Sequence, residues 1–334
     1  MSSHSSEPPH HRPPEHGPLD HGRGERPPGS PRRDAVRLCP RTFRGTLGAF
    51  GGVVRDNVDL APFTHVRIGG PARLFVEPFT EHDAARVVRT CLELSYPLRV
   101  LGGGSNVLVG DAGVEAVVMS LAALNRSVRD GSRVAAGAGV SLPSLLRQTK
   151  DVGLAGLESL TGIPAAVGGA VAMNAGTHEG QTFDHLVSLT VVNPAGEIEV
   201  WDEARMRPRY RDGGLAGAIV VHATFELQRD DPSAILARLE AHLRRRNATQ
   251  PVTDKSAGCV FQNPQCGAAA KLIEDAGCKL MRAGRIVVSA KHANYFVNEG
   301  GGTCADFLAL MGEVQRRVQD RFGETLTPEV KVWE

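Results

Sequence analysis

The chain reads as an α+β protein in two parts, a larger N-terminal region and a smaller C-terminal one. Three observations carry that expectation. Between Leu74 and Leu121, strand-length apolar runs alternate with one segment of helical period. From Leu186 to Leu227, three further strand-like runs follow without an intervening helix, the pattern of an antiparallel sheet. Asp230-Asp231-Pro232 then breaks the pattern, and helices and short strands resume beyond it.

Taken in order, Arg67-Ile68-Gly69-Gly70-Pro71-Ala72 reads as a turn leading into a strand, Leu74 to Glu77. Thr80-Glu81-His82-Asp83 has the form of a capping box, and Ala84, Val87, Val88, Cys91 and Leu92 mark the helix it opens. Strands are expected at Pro97 to Leu101, Val114 to Leu121 and Val134 to Ala138. Ser141 is placed to cap a helix through Leu145, Leu146 and Val152, which Gly153 ends. The antiparallel strands are Leu186 to Val192, Glu197 to Val200 and Ile219 to Leu227. Ile235, Leu236, Leu239 and Leu243 mark the apolar face of a helix ending in Arg244-Arg245-Arg246. A helix near Ala268 to Ala276 and a strand near Ile286 to Ser289 follow. Thr303, with Asp306 three residues on, opens a long helix that Gly323 stops. Its stripe of Phe307, Leu308, Met311, Val314, Val318 and Phe322 is a packing face. Pro328 to Trp333 reads as a closing strand.

Composition narrows the function classes. The 334 residues suffice for two or three domains, and 41% hydrophobic with 22% charged is ordinary for a soluble protein. A formal net charge of +1 gives no electrostatic case for nucleic acid or an anionic membrane. No apolar run approaches the roughly 20 residues that span a bilayer. Residues 1–40 are dense in Pro, His, Arg, Gly and Ser and are expected to be disordered. The spacing of His4, His10, His11, His16 and His21 fits no closed metal site. The six cysteines form no CxxC pair, and no apolar segment of a secretory signal is present, so a reduced, cytoplasmic protein is expected.

Five segments carry candidate chemistry, and each has a plainer reading. Gly102-Gly103-Gly104-Ser105-Asn106 follows a strand and suits either a tight turn or a cradle for a dinucleotide pyrophosphate. It lacks the spacing of a nicotinamide fingerprint and the lysine of a P-loop. Ile163 to Ala170 has no ionisable group. It suits a packed loop or an apolar wall against a flat ring, with Gly168 and Gly169 offering backbone donors and Asn174 and Gly176 extending the surface. Arg211 suits a surface pair with Asp212 or a guanidinium that stabilises an oxyanion. Glu329 is a solvated strand-end charge or a buried acid with a raised pKa, and Cys259 alone is a small hydrophobe or a proton donor.

In sequence order these segments resemble the UDP-N-acetylenolpyruvoylglucosamine reductases of peptidoglycan synthesis (the MurB family). The carriers include Thr64 to Ala72, Leu101 to Leu108, Gly156-Leu157-Glu158 with Gly162-Ile163-Pro164, Val167 to Ala170, and Met173 to Gly176. Tyr210-Arg211, Gly258 to Pro264, Lys291 to Asn294 and Pro328-Glu329-Val330 complete them. The resemblance runs from about Asn57 to Glu334, and the chain looks like the shorter subtype that lacks a substrate-covering tyrosine loop.

The resemblance implies a two-part FAD-binding region of the PCMH/VAO type, 41–230, with subdomains near 55–120 and 121–230. A C-terminal α+β substrate domain, 231–334, would follow. It implies noncovalent FAD held by Arg67, Gly102, Gly103, Gly104, Ser105, Asn106, Ile163, Gly168, Gly169, Asn174 and Gly176. NADPH would be the reductant and a UDP-sugar enolpyruvyl ether the substrate, contacted by Asn263, His292 and Lys331. Arg211 and Glu329 would stabilise an enolate-like carboxylate, and Cys259, where the family usually has serine, would donate the proton. Gln262 stands where many members have lysine. No nucleic-acid or membrane partner is expected, and a monomer or weak oligomer is. Two other classes stay open: an oxidase of the same flavin-domain type, or a non-catalytic nucleotide-sugar or flavin module.

Overall fold

Leu74, Val76, Val117 and Met119 leave one face of a sheet and meet Ala84, Val87, Val88 and Cys91 of a helix, building a first core. The computed structural model describes residues 38–334. In this first sheet the strands run Val53–Asp59, Pro71–Glu77, Val114–Ser120, Leu98–Leu101. The first pair is antiparallel and the other two are parallel. Helix α1 (Pro40–Leu47), not foreseen from the sequence, adds Phe43 and Leu47 to the core. Helix α2 (Glu81–Leu94) starts as expected at Thr80, whose hydroxyl accepts from Asp83 N at 3.0 Å. The reciprocal arm of the capping box is missing. Asp83 Oδ1 instead accepts from Gly51 N at 3.1 Å and ties the helix start to the preceding loop.

The second sheet is antiparallel throughout, ordered Ile198–Asp202, Leu186–Val192, Ile219–Glu226, Arg133–Gly137, Ser127–Asp130. Helix α3 (Leu142–Asp151) is capped by Ser141, as its sequence indicates. With helix α4 (Val167–Ala172), it packs Leu145, Leu146, Val167 and Val171 against Leu189, Val220 and Phe225. Helix α5 (Pro232–Thr249) is capped by Asp231, which accepts from Ser233 N at 2.7 Å. Its expected apolar face is largely unused. Ile235 is buried and Leu239 packs against the second core, but Leu236 and Leu243 are each 43% exposed. Nor does the helix end at Arg244-Arg245-Arg246, because nothing there breaks the hydrogen-bonded ladder before Thr249.

A third core lies under a four-stranded antiparallel sheet ordered Ser256–Cys259, Tyr295–Asn298, Ile286–Val288, Arg282–Ala283. Helices α6 (Ala269–Asp275) and α7 (Cys304–Phe322) cover it. The α7 capping box forms as predicted, and Gly323 ends the helix in the left-handed region at φ +68°. Leu310 joins the buried stripe, Leu308 is only partly buried, and Phe322 at the fraying end is 41% exposed. The carboxylate of Asp111 accepts from Cys304 N at 2.7 Å and Ala305 N at 3.0 Å, so the first region also caps α7.

The chain end returns to that first region. Lys331–Trp333 pairs in parallel with Val107–Val109, beside the glycine loop. The expected closing strand is therefore shorter, and Glu329 stands just before it, near a bridge between Pro328 and Phe261. Among the described residues no helix is long and apolar enough to cross a membrane, and no cluster of His, Cys, Asp and Glu is arranged to hold a metal. Of the segment 1–40 expected to be disordered, 1–37 with its histidines lies outside the described residues, whereas Leu38 is buried and Pro40 opens α1.

Candidate active site

The strand Leu98–Leu101 delivers Gly102-Gly103-Gly104 against the segment from Pro164 to Gly169. A Cβ on Gly103 would stand 3.1 Å from Ala166 N, and one on Gly102 would stand 3.7 Å from Gly169 Cα. Gly104 is at φ +66°, where a Cβ would meet Phe63 O at 2.0 Å. Gly104→Ala is expected to lower stability by about 1–2 kcal/mol from the backbone conformation alone, with the clash in addition. A thermal melt of the mutant, read beside its bound-flavin content, tests this.

The Pro164–Gly169 segment corrects one expectation. Gly168 N donates to Ala138 O at 2.9 Å, so this amide is consumed by the fold. Gly169 faces open space, with nothing within 4 Å of a Cβ placed there. Ile163 is partly buried against the second core. Arg67 has φ +59°, and its exposed guanidinium donates to Pro62 O. Asn174 is buried at φ +39°. Its Nδ2 donates to Gln181 Oε1 at 2.9 Å and to Arg209 O at 3.2 Å, organising the turn that carries Arg211.

Arg211 itself is left-handed at φ +58°, a conformation unusual for a non-glycine residue and held here by the turn's bonds between Arg209 and Asp212. Asp212 is not its partner, since that carboxylate accepts from Gly214 N. Arg211 reaches instead to Glu329, with Nε 2.8 Å from Oε1, and Nη1 donates to Gly176 O at 3.3 Å. The Nε–H does not point at the carboxylate oxygen, so this close charge contact leaves Nε without a hydrogen-bond partner. Burial raises the Glu329 pKa, and Arg211 pulls the other way without cancelling it.

Cys259 ends the strand that starts at Ser256. The preceding Gly258, at φ +73°, lies 3.7 Å by its would-be Cβ from Ser105 O of the glycine loop. Asn106 closes the arrangement, with Nδ2 donating to Glu329 O at 3.2 Å and its carbonyl accepting from Lys331 N at 3.0 Å. Cys259 remains partly accessible. Even so, enclosing protein and the Glu329 charge push its thiol up to about 12, against the smaller pull of Arg211 and Arg246. At neutral pH it carries its proton.

The remaining predicted residues divide. Burial lowers the pKa of His292, so its imidazole is neutral, and its buried Nδ1 has no partner. Asn263 Oδ1 accepts from Ala269 N at 3.0 Å and braces the start of α6, a structural task not foreseen. Lys331 is exposed, and its charge acts on Glu329. Sequence reasoning missed Arg246. Its field reaches Cys259, Tyr295 and His292, and its buried Nε has no partner. The triple arginine was a signal, but only the helix register decides which of the three turns inward.

Four buried side-chain nitrogen or oxygen atoms lack a hydrogen-bond partner among the described residues: Asn174 Oδ1, Arg211 Nε, Arg246 Nε and His292 Nδ1. Three belong to residues around Cys259 and Glu329, and the fourth to the residue bracing the Arg211 turn. Buried polar atoms are nearly always satisfied, so such a concentration marks a polar ligand's place. The open face of Gly169 and the glycine loop beside it fit the approach of a flat ring and a phosphate chain, which suits FAD.

Fold and site define a flavin-dependent oxidoreductase, and residues 72–201 match the FAD binding domain family model. Residues 250–333 match the UDP-N-acetylenolpyruvoylglucosamine reductase C-terminal domain. A reductase of that name from Symbiobacterium thermophilum is 41% identical over 84% of this chain and 92% of its own. One from Geobacter metallireducens is 41% identical over 84% and 94%. The crystal structure of the Thermus caldophilus reductase superposes with a TM-score of 0.75 at 36% identity, covering 85% of this chain and 100% of the other. The chain belongs to the UDP-N-acetylenolpyruvoylglucosamine reductase family.

Proposed function

We propose that this protein reduces the enolpyruvyl ether of UDP-N-acetylglucosamine to UDP-N-acetylmuramate, with NADPH as reductant, in the cytoplasm. The observation that carries the reading is the convergence of Arg211, Glu329 and Cys259 beside the glycine loop, ringed by unpartnered buried polar atoms. Residues Gly102 to Asn106 would hold the FAD phosphates, and Ile163, Gly169 and Gly176 would line the ring. Arg67 and Asn174 would complete the contacts to FAD. When bound and reduced by NADPH, FAD supplies hydride to the vinyl carbon of the substrate.

The chain's own groups manage the charge and the proton that follow. Hydride addition places negative charge on the substrate carboxylate, as an enolate. Arg211 offers a fixed positive charge and an unused Nε–H to that oxygen. Glu329, whose pKa burial raises, supplies a proton-bearing oxygen in the same place in its protonated form. Cys259 then gives its proton to the adjacent carbon, forming the C–H bond of the lactyl ether and leaving a thiolate that water reprotonates. Neutral His292 and cationic Arg246 line the same side, and Asn263 and Lys331 flank it.

The test uses full-length protein purified with its yellow cofactor. NADPH oxidation should depend on the enolpyruvyl ether and yield UDP-N-acetylmuramate with unit stoichiometry. Binding of the ether without NADPH consumption would sink the proposal. Flavin that stays with acid-precipitated protein would point to a covalent oxidase of the same fold. Sedimentation at micromolar concentration should report a monomer or weak oligomer.

A further inference from the structure

Tyr295 stands directly opposite Cys259 on the neighbouring antiparallel strand. Directly paired residues leave the same face of a sheet with Cβ atoms about 4.5–5.5 Å apart. The tyrosine is buried, and its ring meets the His292 ring edge-on at 4.9 Å. At its tip, Oη donates to Gln250 Oε1 at 3.1 Å. Gln250 is the residue that caps the end of α5, held by its own N–H on Arg246 O at 2.8 Å. The phenol is therefore anchored at ring and tip, its hydrogen placed on a neutral amide, with Cys259 facing it across the strand. The groups facing this pair are Glu329 and Arg211 from the chain end and the Arg209–Asp212 turn, Arg246 from α5, and His292 before the strand. Arg211 and Arg246 carry fixed charges, Glu329 titrates, and Tyr295 is the neutral donor able to change partners by rotation about one bond.

We infer that Tyr295 is a positioning residue for the proton-donating thiol. Its O–H rests on Gln250 while Cys259 carries a proton and turns to the sulfur when that proton leaves. The inference rests on the reading of Cys259 as the acid. In the step, the S–H bond breaks, the substrate C–H bond forms, and the sulfur keeps the electron pair. The phenolic hydrogen stays on oxygen throughout and merely exchanges the amide for the thiolate. This tyrosine matters because the site otherwise disfavours an anion on sulfur: burial and Glu329 both oppose it. A hydrogen bond to the charged form is the remedy that adds no net charge.

Tyr295→Phe, which keeps the ring and loses the hydroxyl, tests this. Flavin-loaded enzyme should show kcat lowered about tenfold with KM for the ether unchanged, and unaltered flavin reduction by NADPH. Independently of turnover, alkylation of Cys259 by iodoacetamide at pH 9, read by mass spectrometry of its peptide, should slow about tenfold, since the thiolate is the form that reacts. Gln250→Leu removes the resting acceptor and should speed the same alkylation. An alkylation rate unchanged in both folded variants, or an unchanged kcat in Tyr295→Phe, overturns the inference. Undiminished turnover of Cys259→Ala would instead defeat the functional reading of the thiol, and the alkylation comparison would still decide the contact.

Discussion

Cys259→Ala is expected to lower turnover by about 10²–10⁴-fold, the usual worth of a positioned general acid, while NADPH still bleaches the flavin at its normal rate. Stopped-flow absorbance separates the two halves of the reaction. Near-normal turnover would remove Cys259 from the mechanism. Cys259→Ser should remain active, and the reason lies in the site rather than in the side chain. A free thiol titrates near 8.5 and would lie partly ionised in alkaline buffer. Here burial and the Glu329 charge push the thiol up to about 12, which brings its acidity toward that of a hydroxyl. The same shift suppresses the thiolate, the form that peroxide oxidises, so the cysteine is protected beside a redox cofactor. Comparable turnover by wild type and Cys259→Ser would mark thiol for hydroxyl as a working substitution.

Glu329→Ala is expected to cost about 10²–10³ in kcat, the loss typical of one oxyanion donor, and to leave Arg211 without its neighbour at 2.8 Å. Glu329→Gln should be milder, because the amide keeps an N–H donor where the protonated acid offered an O–H. The pH profile distinguishes the two roles. Burial raises the Glu329 pKa, so its donor is present at low pH and disappears as pH rises through that value. Wild-type kcat should accordingly fall on that limb, and Glu329→Gln should lose it. A limb that persists unchanged in Glu329→Gln would assign it to another group. Stability follows the same sign. A carboxyl that holds its proton more tightly folded than unfolded favours the folded state below its unfolded pKa, and this contribution declines as pH rises through the folded value.

Much of this molecule was legible from local pattern. The strand Leu186–Val192, helix α7 with its capping box, and the Ser141 cap all appear where their residues place them. Each depends on neighbours a few positions apart, so a short window holds the whole cause. Legibility failed where a segment's fate depends on a distant partner. The apolar residues Leu236 and Leu243 stay exposed because α5 meets the second core along a narrow line, which no periodicity reveals. Asp83 stayed bonded to the Thr80 hydroxyl but turned its other oxygen to Gly51, and Gly168 spent its amide on Ala138.

The amino-acid order alone determined the family and the flavin-type fold and singled out Arg211, Cys259 and Glu329 as candidates, because short motifs in a fixed sequence of appearance need no coordinates. Only the tertiary structure decided how those residues behave. It paired Arg211 with Glu329 rather than with the adjacent Asp212, turned Arg246 inward, and set Tyr295 opposite Cys259. The physical reason is that acidity and charge stabilisation depend on burial and on groups brought together from far along the chain. Asn106 illustrates it, binding across 223 positions to the backbone of Glu329.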